Sequence, residues 1–173
     1  MSLIAETGLK LDLHIHSCYS SSKDGDKVKN NTLEALPLLV EKLTQNEVNV
    51  CSITDHDVFN YEIYHTLKSY ETDKGIIKKV LPGVEFSVLF SHAGKERPLH
   101  IIAIFSDKDD LKVQNVESVL SSFPPKNKTY TEIEFLEILR KIDIDTILIV
   151  HQKQSLYSQG KNDATALGHE KFL

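Results

Sequence analysis

Short β-rich segments alternate with helical segments along this chain, and that order restricts the fold more than any other feature of the sequence. Period-2 alternation and β-branched composition predict five strands, at 10–16, 48–54, 79–90, 100–105 and 146–150. Apolar residues at helical spacing predict the intervening helices, at 33–43, 57–73, 108–122 and 131–142. Strands that alternate with helices in this way are typical of βαβ units, so we expect an α/β fold with a mostly parallel sheet or barrel.

Length and charge exclude several classes of protein. The 173 residues suit one domain, and 20 Lys+Arg against 25 Asp+Glu give a net charge of −5. A general nucleic-acid-binding surface is disfavoured, because phosphate backbones bind clustered basic residues, although a local site for one phosphate group stays open. The longest aliphatic run, 147–150, is far short of the ~20 residues of a membrane helix. The N-terminus lacks the pattern of a secretory signal, so we expect a cytoplasmic protein with no membrane partner.

The two cysteines, Cys18 and Cys51, are expected to be reduced thiols, because a disulfide scaffold usually needs more cysteines and an export signal. Cys51 lies in an apolar run and is expected to be a small buried hydrophobe.

Eight histidines are an unusual number for this length, and several of them follow predicted strands. The first strand ends with His14 and His16, whose i, i+2 spacing directs both imidazoles to one face, where they can ligate one ion. The second strand leads to His56, the third carries Glu85, and the fifth ends at His151. Functional groups of parallel α/β folds gather at the C-terminal ends of strands. Packing explains any one of these residues, but their joint position predicts a metal site.

The other histidines carry no function in this interpretation. His65 lies within a predicted helix and His92 in a turn-rich segment, so both are expected to face solvent. His169 lies in the polar tail and is assigned no role.

These motifs resemble those of the PHP family, the polymerase and histidinol phosphatase domain of metal-dependent phosphoesterases. Asp12-Leu13-His14-Ile15-His16-Ser17 resembles the first motif of the family, and Thr54-Asp55-His56-Asp57 resembles the second. Gly83-Val84-Glu85, followed by Leu99-His100-Ile101-Ile102, is similar to the third region. Val150-His151-Gln152 matches the next histidine position, so the resemblance extends over about 11–152.

The resemblance implies a distorted, TIM-like α/β barrel of the seven-stranded PHP type. About five strands are predicted, and nothing after His151 matches the late Asp-x-His motif of the family. We therefore expect an incomplete barrel, either the N-terminal portion of a larger protein or a barrel that lacks its last units. The implied organisation is an N-terminal extension at 1–9, a PHP-like metal-binding domain at 10–152 and a polar tail at 153–173. Further domains of the same polypeptide are an expected partner.

The resemblance also implies a set of metal ligands and two to three divalent ions, zinc, manganese or iron. The implied ligands are His14, His16, Asp24, His56, Glu85, His100 and His151. Glu85 would bridge one ion held with His14 and His16 to a second ion held by the last two histidines of that set. His100 is included on the resemblance alone, because it begins its predicted strand. Asp12 is the expected outer-shell partner that orients a ligand.

The implied reaction is hydrolysis of a phosphomonoester or phosphodiester, a nucleotide or a nucleic-acid-like substrate, by metal-activated hydroxide. Bound ions would also allow an acidic protein to bind an anionic substrate. One alternative is an amidohydrolase-type barrel, which usually needs a metal-bridging lysine that the segment 104–106 does not offer. Another is an inactive or catalytically weak PHP-like module of a larger nucleic-acid-processing or ATPase protein, an interpretation that the missing Asp-x-His motif favours.

Overall fold

Two β-sheets, covered by helices, carry the residues of interest. The structure is a computed structural model that describes residues 8–92 and 95–151; for His92, Lys95 and His151 it describes the backbone alone. The strands are β1 Leu11–Ile15, β2 Val50–Ile53, β3 Lys79–Val80, β4 Gly83–His92, β5 Lys95–Phe105, β6 Tyr130–Thr131 and β7 Thr146–His151. The α-helices are α1 Ser21–Asp24, α2 Leu36–Gln45, α3 Tyr61–Lys68, α4 Asp110–Ser122 and α5 Glu132–Ile142. Single 3₁₀ turns occupy Cys18–Ser20, Gly25–Lys27, Leu33–Ala35 and Lys126–Lys128.

The predicted α/β class is confirmed, and the strand count is corrected from about five to seven within the described residues. The third predicted strand, 79–90, is divided at Pro82 into β3 and β4. Proline has no N–H to donate to a ladder, which explains the division. The two-residue strand β6 lies where the pattern predicts only the start of a helix.

Strand direction differs from the prediction in one of the two sheets. The first sheet has the order β1-β2-β3 and is parallel, as expected. The second has the order β6-β4-β5-β7, and both neighbours of β5 are antiparallel to it. A parallel bridge between His56 and Glu85 connects the two sheets. The described residues form no closed barrel, so the incomplete barrel of the PHP type stays a prediction.

The antiparallel part of the second sheet is a long hairpin that the sequence pattern conceals. β4 and β5 pair from Gly83 opposite Ile104 to His92 opposite Lys95. Residues 91–98 are polar and predict a turn, but 91–92 and 95–98 are paired in this hairpin, where Ser91, Glu96 and Arg97 are exposed. Both faces of such a hairpin end contact water, so the alternation of polar and apolar residues that marks a strand is lost there.

Helix boundaries are set by side-chain caps. The helix predicted at 57–73 begins only at Tyr61, because the side chain of Asn60 accepts a hydrogen bond from the Ile63 N–H. Residues 55–59 therefore form a loop, which contains the bridge from His56 to Glu85 that connects the two sheets. At α5 a reciprocal capping box joins Thr131 and Glu134, and the helix begins within one residue of its predicted start.

One continuous apolar core joins both sheets and helices α2 to α5. Phe86 of β4 is fully buried, with ring centroids 5.9 Å from Tyr130 and 5.1 Å from Phe135. Cys51 is fully buried and unpaired, as predicted, and burial raises its thiol pKa to about 12. No helix in the described part of the chain has the length and apolar character needed to cross a lipid bilayer.

Candidate metal centre

The carboxylate of Glu85 lies at the centre of four imidazoles. Its side chain is 1% exposed. Oε2 is 3.0 Å from His14 Nε2, 3.2 Å from His16 Nε2 and 3.4 Å from His56 Nδ1. Oε1 is 2.5 Å from His100 Nδ1. The structure therefore brings together five of the residues that the sequence predicts as ligands.

Strand alternation explains the first two imidazoles. His14 lies on β1 and His16 follows its end, so their side chains share a face, and their Nε2 atoms are 2.9 Å apart. β1 and β2 are parallel neighbours, so both lead to the same edge of the sheet. His56 follows β2 there and forms the bridge to Glu85.

His100 reaches the cluster by a different route. The tendency of functional groups to gather at the C-terminal ends of strands does not explain its position, because His100 lies in the middle of β5. In the antiparallel register His100 is opposite Ser87, while Glu85 is opposite Ile102. His100 is therefore the diagonal neighbour of Glu85 on the same face of the sheet.

Asp24 approaches the cluster from the loop after β1. It is the last residue of α1, and Gly25, with φ of +62°, follows it and lets the chain turn in the left-handed region. The Asp24 Oδ2 atom is 3.7 Å from His16 Nδ1 and 3.6 Å from His56 Nε2. The loop after β1 thus brings Asp24 beside two of the histidines.

His151 is the predicted ligand whose side chain lies outside the described residues. Its backbone ends β7 and pairs in register with His100 of β5. A ligand role for His151 stays a prediction.

The cluster contains donor sets of the size that divalent ions use. Three groups each have one donor atom per residue within 4.8 Å of the others: His14, His16 and Glu85; His16, Asp24 and His56; His56, Glu85 and His100. Imidazole and carboxylate donors together suit zinc, manganese or iron.

Two buried donor atoms support the fit to metal. Asp24 Oδ2 and His56 Nδ1 are buried and have no hydrogen-bond partner. Buried polar atoms are normally paired, because an unpaired one costs about 1–3 kcal/mol. Both atoms face the other donors of the cluster, where an ion would satisfy them.

Metal binding requires an ionised carboxylate and neutral imidazoles, and Glu85 and His56 meet this requirement. Burial opposes ionisation of Glu85, but hydrogen bonds with His100, His14 and His16 outweigh burial and hold its pKa well below the ordinary range. Burial lowers the pKa of His56 to about 4, so this imidazole is neutral at pH 7. Burial acts in the same direction on His16, yet the Glu85 carboxylate raises its pKa overall.

Outer contacts hold the two loops that carry the ligands. Asp55 is 3% exposed and accepts hydrogen bonds from Ser17, at 2.6 Å from its N–H and 2.5 Å from its hydroxyl. The Ser20 hydroxyl accepts a bond from the His56 N–H at 2.8 Å and lies 3.1 Å from His16 Nδ1. The sequence interpretation assigned no role to Ser20, because one serine in a serine-rich loop carries no distinguishing pattern.

Asp12 was expected to orient a ligand from the outer shell. It accepts a hydrogen bond from the backbone N–H of His14 at 3.4 Å.

Among the remaining histidines, His65 is exposed on α3, as predicted, with its ring centroid 5.5 Å from that of Tyr61. The side chain of His92 and all of His169 lie outside the described residues.

No protein-family model matches the sequence, and no curated protein matches it either. Among solved structures, one match is a chain from Bifidobacterium adolescentis named a putative metal-dependent phosphoesterase. The two share 14% sequence identity with a TM-score of 0.39, and the match covers 79% of this chain and 51% of the other. This chain therefore corresponds to about half the length of that protein.

Proposed function

We propose that this chain is a metal-dependent phosphoesterase that hydrolyses a phosphomonoester or phosphodiester. The observation that carries the proposal is the convergence of His14, His16, His56 and His100 on the buried carboxylate of Glu85. Stability does not explain four imidazoles around one buried acid, because desolvated charges are costly. Apolar side chains at these positions would stabilise the fold at lower cost.

The donor groups accommodate two to three divalent ions, zinc, manganese or iron. Glu85 belongs to two of the three groups, so its carboxylate would contribute a donor to two of the ions. His56 and Asp24 complete the third group with His16, and His151 would add a further donor beside His100. When bound, such ions supply positive charge for a phosphate group and lower the pKa of a water molecule to about 7.

The contribution of the chain itself is to hold the donors in place. The hydrogen bonds between Ser17 and Asp55, and between Ser20 and His56, connect the loop after β1 to the loop after β2. The Ser20 hydroxyl also lies 3.1 Å from His16 Nδ1. A partner of this kind restricts the orientation of a ligating imidazole, and its loss typically weakens metal binding about 10- to 100-fold.

A groove beside the first two histidines is a suitable place for the rest of the substrate. It has a volume of about 410 Å³, and its lining includes His14, His16, Asn31 and Lys42. Lys42 adds a cation and Asn31 an amide to a wall that also contains the apolar side chain of Leu39. Mixed polar and apolar lining suits an organic phosphate ester, and we propose a nucleotide or a nucleic-acid-like ester.

The proposal is tested by metal-dependent turnover. The purified chain is assayed with bis(p-nitrophenyl) phosphate and with a nucleoside monophosphate, after chelation and after addition of Mn²⁺. We expect hydrolysis that is lost on chelation and restored by the ion. Bound metal without any turnover would contradict the proposal and favour the inactive-module alternative.

A variant pair tests the site assignment separately. Replacing both His14 and His16 with Ala should lower the metal content, measured by elemental analysis, because these two histidines supply donors to two of the three groups. His65→Ala is the matched control, since His65 is an exposed histidine on α3. Unchanged metal content in the double variant would refute the assignment.

A further inference from the structure

Lys23 has a set of contacts that the proposed metal chemistry does not use. Its Nζ donates to Asp57 Oδ2 at 2.6 Å, to the Ser87 hydroxyl, and to the Lys128 carbonyl at 3.1 Å. The side chain is 20% exposed. An ammonium group has three hydrogens, and these three acceptors account for all of them. Lys23 is therefore engaged with the protein, which argues against a direct role in binding substrate phosphate.

Two of the acceptors of Lys23 belong to β4 or are bonded to it: Ser87 lies on this strand, which carries Glu85, and Asp57 is bonded to it. Asp57 Oδ1 accepts a bond from the Ser87 N–H at 2.7 Å, and the Asp57 N–H donates to the Glu85 carbonyl at 2.9 Å. The Asp57 side chain is 5% exposed.

The backbone at two of these acceptors is strained. Asp57 has φ of 57° and Lys128 has φ of 67°, both in the left-handed region that residues other than glycine rarely adopt. Strained backbone of this kind persists where the surroundings hold it, and it is concentrated at functional sites.

We propose that Lys23 is the positioning residue that holds Asp24 at the metal centre, an inference that rests on the proposed function. Lys23 and Asp24 are consecutive residues of the four-residue helix α1. Asp24 Oδ2 has no hydrogen-bond partner of its own, although it lies beside His16 and His56. The contacts of Lys23 with Asp57 and Ser87 join α1 to β4 and so set the distance between Asp24 and the histidines.

The test compares metal affinity and loop exchange in matched variants. Mn²⁺ binding is measured by calorimetry for the wild type, Lys23→Met, Asp24→Asn and the double variant of both. Amide hydrogen exchange of residues 18–27 is measured in the metal-free proteins. The control is Lys29→Met, because Lys29 forms an ion pair with Asp26 in the same loop, at 3.3 Å, with side chains 56% and 90% exposed.

We expect Lys23→Met to weaken one class of Mn²⁺ site about tenfold or more, within the range seen when an outer partner of a ligand is lost. Exchange of residues 18–27 should accelerate, and Lys29→Met should leave both measurements unchanged. Because Lys23 acts through Asp24, adding Lys23→Met to Asp24→Asn should weaken Mn²⁺ binding no further. Such non-additivity identifies coupled residues.

Removing Lys23 alone leaves a buried carboxylate without its cation, which can prevent folding. The second variant is therefore Lys23→Met with Asp57→Asn, since Asn tolerates positive φ and keeps the acceptor for the Ser87 N–H. It should fold and show the same loss of Mn²⁺ affinity. Failure of both variants to fold would overturn the inference, because Lys23 would then serve overall stability.

The outcomes separate this inference from the proposed function. Unchanged Mn²⁺ affinity in folded Lys23→Met, or additive losses with Asp24→Asn, would overturn the positioning role while leaving phosphoesterase activity in place. Loss of one site with no turnover in the wild type would support the role of Lys23 and reject hydrolysis. A wild-type chain that binds no Mn²⁺ would overturn both.

Discussion

Replacing Glu85 with Gln is the perturbation that most directly tests the metal centre. Gln has nearly the same shape as Glu, so the buried position is kept, but the negative charge and one acceptor oxygen are lost. Glu85 contributes to two of the three donor groups, and its oxygens lie 2.5–3.4 Å from four imidazoles. We expect metal affinity to fall at least about 100-fold, the upper end of the loss caused by removing an outer-shell partner.

The expected magnitude can be expressed as a shift in melting temperature. At a free Mn²⁺ concentration of 100 times the dissociation constant, binding stabilises the wild type by about 2.7 kcal/mol. A domain of this size gains about 2–4 °C per kcal/mol, so its Tm should rise by about 5–11 °C. With affinity 100-fold weaker, the same Mn²⁺ concentration stabilises Glu85→Gln by about 0.4 kcal/mol, a rise of about 1–2 °C.

The assay is thermal unfolding followed by circular dichroism, with each protein compared with and without Mn²⁺. Glu117→Gln is the control, because Glu117 is a half-buried acid that accepts a bond from the Tyr61 N–H at 3.3 Å, and Gln retains an acceptor. It should respond to Mn²⁺ as the wild type does. A Tm rise in Glu85→Gln equal to that of the wild type would refute the reasoning, since the ion would then bind elsewhere.

Two further predictions concern stability away from the histidines. Asp107 accepts bonds from two lysines, including Lys68 at 2.6 Å, and although burial opposes ionisation these bonds hold its pKa below the ordinary value. A lowered folded-state pKa adds stability above the unfolded-state pKa of about 3.9, and that stability is lost as pH falls through the folded-state value. In urea unfolding, Asp107→Asn should therefore lower the free energy of unfolding by about 1 kcal/mol at pH 7, and by progressively less below about pH 4. Asp143→Asn is the control and should change little, because Asp143 is the acid of an ion pair and its side chain is 79% exposed. Equal effects of the two changes at pH 7 would contradict the argument. Phe86→Ala should lower the free energy of unfolding by about 3–5 kcal/mol, because Phe86 is fully buried. Phe123→Ala should lower it by well under half of that, because Phe123 is 45% exposed. Similar urea midpoints for the two variants would contradict the difference in burial.

Much of the candidate site could be predicted because it depends on local patterns. The i, i+2 spacing of His14 and His16 determines that they share a face, whatever the rest of the fold does. The β-rich segments before His16 and His56 lead to one edge of a parallel sheet, and the structure places both imidazoles there. The prediction of a buried Cys51 is confirmed for the same reason, because it depends on the apolar run around it.

The antiparallel hairpin could not be predicted in this way. Its pairing joins residues up to 21 positions apart, such as Gly83 and Ile104, and polar residues at its exposed end conceal the strands. The position of His100 beside Glu85 follows from that register and from nothing local. For the same reason the expectation of parallel strands was wrong for the two pairs that β5 forms, although β1, β2 and β3 are parallel as expected.

The sequence by itself therefore predicted the chemical identity of the donors, and the spacing of His14 and His16 determined that these two share a face. Only the tertiary structure decided which donors meet, because contact between Glu85 and His100, or between Asp24 and His56, requires strand register and loop path. It also decided the role available to Lys23. The sequence pattern does not distinguish this residue from others in its polar loop, whereas the fold brings three acceptors from separate segments to its ammonium group. Side-chain alternation is a property of a few neighbouring residues, whereas register and loop path depend on the packing of the whole chain.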